Sequence, residues 1–212
     1  MKRTPSATGK IESGPERLVD PVTLFGAHAT MEPLAREHLA AVRAAAADGE
    51  LWKLWYTSVP APEATAAWLD AALEMRERLG ALPFVVRSNA SGEIVGSTRY
   101  FNVDAAHRRL EIGHTWYAKR VQRSAVNTEC KLLLLTHAFE ALHCIAVEFR
   151  THFFNFASRA AIARLGAKQD GILRNHQIMP DGTRRDTVVF SVIDSEWPAV
   201  KRNLQFLLER DR

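Results

Sequence analysis

The stretch from Leu82 to Ala118 constrains the fold more than any other part of the chain. LPFVVRS (82–88), GEIVGSTRYFNV (92–103) and RRLEIGHTWYA (108–118) are three successive runs rich in β-branched and aromatic residues, and NASG (89–92) joins the first two. Such residues suit a pleated, half-buried surface, and a short Asn/Ser/Gly turn reverses the chain, so this spacing predicts an antiparallel three-strand meander. The flanking segments extend it. VTLFGAHATMEPL (22–34) reads as a strand or hairpin. REHLAAVRAAAADGEL and APEATAAWLDAALEMRERLG read as two helices, the second with Pro62 in its first turn and Gly80 as its stop. After the meander come a helix over 127–142, the strand IAVEFRTHF, a helix SRAAIARLG closed by Gly166, and two strands around the turn Met179 to Thr183. A last helix is predicted after Ser195, whose side chain is placed to cap it, with Pro198 in its first turn. Strands outnumber crossovers, so the expected fold is α/β: a mixed, mostly antiparallel central sheet of about seven strands with helices on both faces.

Length and composition narrow the function classes. A chain of 212 residues, 47% of them hydrophobic, suits one domain, here taken as 21–212. Residues 1–20 are rich in Pro, Gly, Ser and charge, and are expected to form a flexible tail. The net charge of +4 is far from the dense basic surface of a nucleic-acid binder, but suffices for a small anionic ligand. Cys130 and Cys144 sit in apolar surroundings without metal or disulfide spacing, as expected of reduced core residues in the cytoplasm. No segment has the apolar run of a signal peptide or a membrane span. H-E-x-x-H, G-x-S-x-G and G-x-x-x-x-G-K-[ST] patterns are absent, so no metal site is expected. His114, His137 and His152 read as hydrogen-bonded structural residues.

The joint between the third meander strand and the following helix carries chemistry of its own. TWYAKRVQRSAVNTECKLLLL (115–135) passes from an aromatic strand through a basic, polar knot into an apolar helix. A helix N-terminus presents unpaired N–H groups and the positive end of the helix dipole, so this joint is either a solvated loop or an anion cradle with Arg120 and Arg123 beside it.

Asn155 to Gly166 favours the cradle. Its pattern N-x-x-S-x-x-x-I-x-x-L-G resembles the motif after the fifth strand of the GNAT superfamily of acyl-CoA-dependent N-acyltransferases, most closely the branch with the ribosomal-protein-alanine N-acetyltransferases. The element order resembles that family from Val22 to about Arg202. The family's phosphate motif, Q/R-x-x-G-x-G/A, falls on Gln122, Arg123, Ser124, Ala125, Val126 and Asn127, with Thr128 continuing it; Ala125 and Asn127 stand where glycines are usual. A Cβ restricts close approach of backbone to pyrophosphate, and alanine restricts it least.

The resemblance implies acetyl-CoA as co-substrate, held by residues 122–128 and by Asn155 on the pantetheine arm, and direct attack of an amine on the thioester. It implies Glu111 as the base, against the plainer reading of a strand carboxylate paired with Arg109 or Arg150, with Glu148 in reserve. It offers Ser158 as proton donor to the thiol in place of the family's frequent tyrosine, unless Ser158 only caps its helix. Trp52, Trp55 and Tyr56 fall where relatives build the acceptor wall, although aromatics at this spacing also suit a core. The expected protein is thus a cytoplasmic N-acetyltransferase acting on a small-molecule or peptide amine, with no nucleic-acid or membrane partner and a homodimer left open. The alternative is a non-catalytic acyl-CoA-binding or regulatory module.

Overall fold

The structure, a computed structural model, describes residues 18–210. In chain order it contains β1 (Leu24–Phe25), β2 (Ala29–Pro33), α1 (Leu39–Ala47), α2 (Thr65–Leu79), β3 (Leu82–Ser88), β4 (Ile94–Asp104), β5 (Arg109–Tyr117), α3 (Ala125–Thr136), β6 (Ala146–His152), α4 (Phe156–Leu165), β7 (Lys168–Ile178), β8 (Arg184–Ile193) and α5 (Trp197–Arg210). The mixed α/β architecture and the order of elements agree with the sequence reading. The sheet has eight strands rather than seven, because Val22 to Leu34 folds as a hairpin, Leu24 pairing with Met31. The expected tail lies mostly outside the described residues, and Val19 is already in the core at 2% exposure.

The strands lie in the order β1-β2-β3-β4-β5-β6-β8-β7, and every neighbouring pair is antiparallel except β5 and β6. That parallel pair is brief. Arg109, Leu110 and Glu111 face Ala146, Val147 and Glu148, and there the pairing ends. Beyond it β5 stays with β4 as far as Tyr117, and β6 stays with β8 as far as His152. The sheet therefore opens into a V whose apex is the Glu111–Glu148 pair. Along the β5 arm the register slips: Gly113 faces Arg99 but Trp116 faces Ser97, so β5 carries an extra residue, with His114 at φ 49°. Bulges of this kind interrupt the ladder and re-aim side chains, often beside active sites.

Helix boundaries follow their caps. The α3 helix begins at Ala125, two residues before the expected start, because Ser124 is its cap. It runs into a π-turn over His137–Ala141. Gly80 and Gly166 end α2 and α4 in the left-handed conformation that glycine adopts without steric cost. Ser195 does not cap α5. Glu196 precedes the first helical residue and its carbonyl accepts from Ala199 and Val200, while the N–H of Ser195 is taken by the Asp194 carboxylate. The core runs between sheet and helices through Phe84, Tyr100, Leu134 and Leu204, all fully buried, and the Tyr100 hydroxyl donates to the Leu134 carbonyl at 2.7 Å. No described helix is long and apolar enough to cross a membrane.

Candidate active site

A cleft of about 380 Å³ occupies the V, bounded by β5, β6, the start of α3, α4 and the segment after α1. Its mouth at α3 is made by backbone. Ser124 Oγ donates to the Val121 carbonyl at 2.6 Å and accepts from Val126 N at 3.4 Å, leaving other first-turn N–H groups of α3 without an intrahelical partner. Arg123 is the residue in the left-handed region, at φ 62°. For a non-glycine residue that conformation costs about 1–2 kcal/mol. Ala125 and Asn127, at the positions usual for glycine, are helical instead, so a glycine there would add room but not needed conformational freedom.

The residues named for coenzyme A fall into three groups. Gln122, Asn127 and Asn155 line the cleft. Asn127 Oδ1 is buried with no hydrogen-bond partner among the described residues, and Gln122 Nε2 donates to the Tyr117 carbonyl at 3.1 Å. Ser124, Ala125 and Val126 form the cap and first turn of α3, with Arg123 exposed beside them. Thr128, by contrast, turns away from the cleft: it is 1% exposed, and its hydroxyl accepts from Arg164 on α4 at 2.9 Å.

At the start of α4 the cap is Asn155, whose Oδ1 accepts from the backbone N–H of Ser158 at 3.0 Å. Ser158 is therefore not the capping side chain. Its hydroxyl makes no hydrogen bond with any described residue, and Ser158 lines the cleft.

Glu111 sits at the apex, 4% exposed, and is not part of the cleft lining itself. Its Oε2 accepts from Asn102 Nδ2 at 2.9 Å and stands 3.5 Å from Arg150 Nε. Burial outweighs both interactions and raises its pKa above the ordinary 4.5. Glu148, its cross-strand neighbour, is more fully occupied: Arg109 engages one oxygen and Arg150 the other, at 2.8 Å. Arg150 borders both the apex and the cleft, and so links the two environments.

The far wall contains two histidines read from sequence as structural, and two cations, Lys131 and Arg185, to which the sequence reading gave no role. His114 lines the cleft without a hydrogen bond to any described residue, and burial lowers its pKa to about 4. His152 also lines it: Nδ1 accepts from Phe154 N at 3.1 Å, so the proton of the neutral ring belongs on Nε2, which is buried and unpartnered. Lys131, on α3 one turn beyond Asn127, is 5% exposed and donates to Thr115 Oγ1 at 3.0 Å, and burial lowers its pKa to about 8. Arg185 enters from β8. The aromatic strip divides. Tyr56 lines the cleft; Trp55, 54% exposed, packs edge-on to His152 at 4.8 Å between ring centres; Trp52 is not in the lining. The described residues contain no cluster of three or more His, Cys, Asp or Glu suited to a metal.

Comparison with known proteins bears on the family and the fold. Residues 28–168 match the family model described as Acetyltransferase (GNAT) domain. YdaF of Bacillus subtilis (strain 168), whose name provisionally assigns it to the ribosomal N-acetyltransferases, is 31% identical over 110 residues; the match covers 52% of this chain and 59% of that protein. A GCN5-related N-acetyltransferase structure from Brucella melitensis is 30% identical, with a TM-score of 0.82, over 93% of this chain and 90% of that one. Mycobacterium smegmatis RimJ, solved in complex with CoA-disulfide, shares the fold at a TM-score of 0.73 and 23% identity, over 88% and 95% of the respective chains.

Proposed function

The chain belongs to the GNAT acetyltransferase family, and from that premise we propose that it moves an acetyl group from acetyl-CoA to a primary amine, on a protein N-terminus or a small molecule, by direct attack in a ternary complex. The observation that carries this reading is the V itself: the sheet opens immediately past a buried carboxylate, below the free N–H groups of α3. Residues 21–212 act in this reading as one catalytic domain.

Bound acetyl-CoA supplies an activated acyl group with a thiolate leaving group. The protein's own part is to hold, orient and move protons. The α3 first turn, with Gln122 and Asn127, suits the pyrophosphate, because free N–H groups and the helix dipole favour negative charge there. The unpartnered Asn127 Oδ1 fits a donor on the ligand. Asn155 keeps its Nδ2 for the pantetheine arm while Oδ1 caps α4. Glu111 is the base that accepts the ammonium proton, directly or through water, its raised pKa bringing it closer to the pH at which it must work. The free hydroxyl of Ser158 is the donor for the departing thiol, and Tyr56 and Trp55 form part of the acceptor wall. The name of YdaF and the CoA-disulfide held by RimJ both support this assignment of acceptor and co-substrate.

Two measurements test it together. Ligand that binds only the folded state stabilises it by about 2.7 kcal/mol at a hundredfold excess over Kd, so millimolar acetyl-CoA should raise Tm. Thiol release with a panel of amines and N-terminal peptides should then identify acceptors. A raised Tm without thiol release from any amine points to the non-catalytic module, and no shift in Tm removes the coenzyme assignment.

A further inference from the structure

Arg185 has an arrangement that the acetyl-transfer reading leaves without a use. Its Nε donates to Thr187 Oγ1 at 3.0 Å, and that hydroxyl is also fixed by His176 Nδ1 at 3.0 Å. Thr187 is 1% exposed, so the anchor is rigid. The two terminal nitrogens of Arg185 have no hydrogen bond or ion pair with any described residue, although the side chain lines the cleft. Arg150, on the neighbouring strand, shows the contrast: it is satisfied by Glu148 at 2.8 Å and stands near Glu111.

The cleft's charge adds a second, independent observation. Its described lining contains Lys131, Arg150 and Arg185 but no aspartate or glutamate, and its two histidines are pushed toward the neutral form. An amine acceptor enters as an ammonium. Glu111 offers it a negative charge only at the apex, where Arg150 and the field of Arg185 already draw on that carboxylate; elsewhere in this poorly solvated cleft, beside Lys131 and Arg185, an ammonium is better accommodated when the same molecule brings negative charge of its own. A guanidinium whose Nε is already pinned presents its other two nitrogens as a planar fork, the geometry that matches a carboxylate in two parallel hydrogen bonds.

Resting on the acetyltransferase reading, we infer that the acceptor is an amine that also carries a carboxylate, and that Arg185 binds that carboxylate. The carboxylate is either the α-carboxylate of a free amino acid or an acidic side chain next to a peptide N-terminus. The test uses acceptor pairs that differ in that group alone: amino acids against their amides, and N-terminal peptide amides with Asp or Asn as second residue. In the wild-type protein the acidic member of one series should have a kcat/KM at least about tenfold higher, and the series that shows it identifies which carboxylate is read. In Arg185→Gln the acid-to-amide ratio should fall to about one; in Arg185→Lys, which keeps charge but loses the fork, it should lie between. Melting curves confirm that the variants fold. Equal rates within both pairs, or a ratio untouched in Arg185→Gln, overturns the inference. If no amine turns over, calorimetric binding of the same pairs to the protein with coenzyme A present decides it separately. Tighter binding of an acid, lost in Arg185→Gln, sustains the carboxylate site while rejecting catalysis; equal binding of acid and amide rejects the site.

Discussion

Two buried glutamates on neighbouring elements show how the same side chain serves opposite ends. Glu129, on α3, is 6% exposed, and its carboxylate accepts the backbone N–H groups of Ala27, His28 and Ala29 at 2.8, 2.6 and 2.8 Å. Glu111, at the apex of the V, is equally buried but has one amide donor and an arginine at 3.5 Å. Three short N–H bonds saturate Glu129 and spend it on holding the β1–β2 turn against α3. Glu111 is left under-satisfied, and its desolvated charge favours taking up a proton. A carboxylate can be buried for structure when its lone pairs are met; left partly unmet, it keeps the basicity that catalysis uses.

The largest effect that tests this contrast is on rate. Glu111→Gln keeps the shape and removes the proposed base, so steady-state kinetics should show kcat lower by about 10² to 10⁴, with acetyl-CoA affinity little changed. A loss below threefold would make Glu111 a mere strand carboxylate. The same variant carries a thermodynamic signature. A pKa raised on folding means that Glu111's contribution to stability is full below 4.5 and lost as pH rises through its folded pKa. Melting temperatures of the Gln variant should therefore gain on wild type from acid to neutral pH.

Next in size is the loss expected at the other carboxylate. Glu129→Ala strands one buried and two part-buried N–H groups and should cost about 3 kcal/mol, lowering Tm by roughly 6–12 °C in a chain of this size. Gly26→Ala should repeat part of that loss, since its Cβ would fall 2.4 Å from Glu129 Oε2. Neither change touches the proposed base. If either variant shifted the acidic limb of the pH–rate profile, the division of labour between the two glutamates would fail.

Smaller effects sharpen the contrast. Asn102 sits at φ 47°, so Asn102→Gly fits the backbone while removing the donor that holds Glu111 Oε2. That bond lowers the pKa of Glu111, so the acidic limb of kcat/KM should move to higher pH. Least of all, Lys131→Met should leave Tm unchanged or raised at pH 7. Burial pulls the pKa of Lys131 from 10.5 to about 8, so the folded state is penalised below that value and relieved as pH climbs toward 10.5. The advantage of methionine should disappear over that range.

Much of the scaffold was legible because local signals and tertiary structure agree. The meander declares itself through β-branched runs around NASG, and Gly80 and Gly166 mark helix ends by a conformation that other residues resist. The α3 start was missed by two residues, although Ser124 in RSAVN carries the capping signal. Within the site, Gln122, Asn127, Asn155 and Ser158 could be found by motif. Lys131 could not, since it looks like an interruption of the apolar run ECKLLLL until the sheet shows which way α3 faces. For Arg185 the hairpin RRDTVVF offers two adjacent arginines, and only the pairing of β8 with β6 places one of them in the cleft. Glu129 stands in plain view in the stretch NTECK, but its partners lie about a hundred positions earlier.

That separation also sets an order of events in time. A ribosome making roughly 5 to 20 residues per second delivers Glu129 about 5 to 20 s after Ala27 to Ala29 have emerged. Until then the β1–β2 turn lacks the three bonds that secure it. This early-synthesised turn should thus be among the last to lock, with the N–H groups of Ala27 to Ala29 gaining hydrogen-exchange protection only after α3 has docked, and pulse-labelling during refolding tests that dependence.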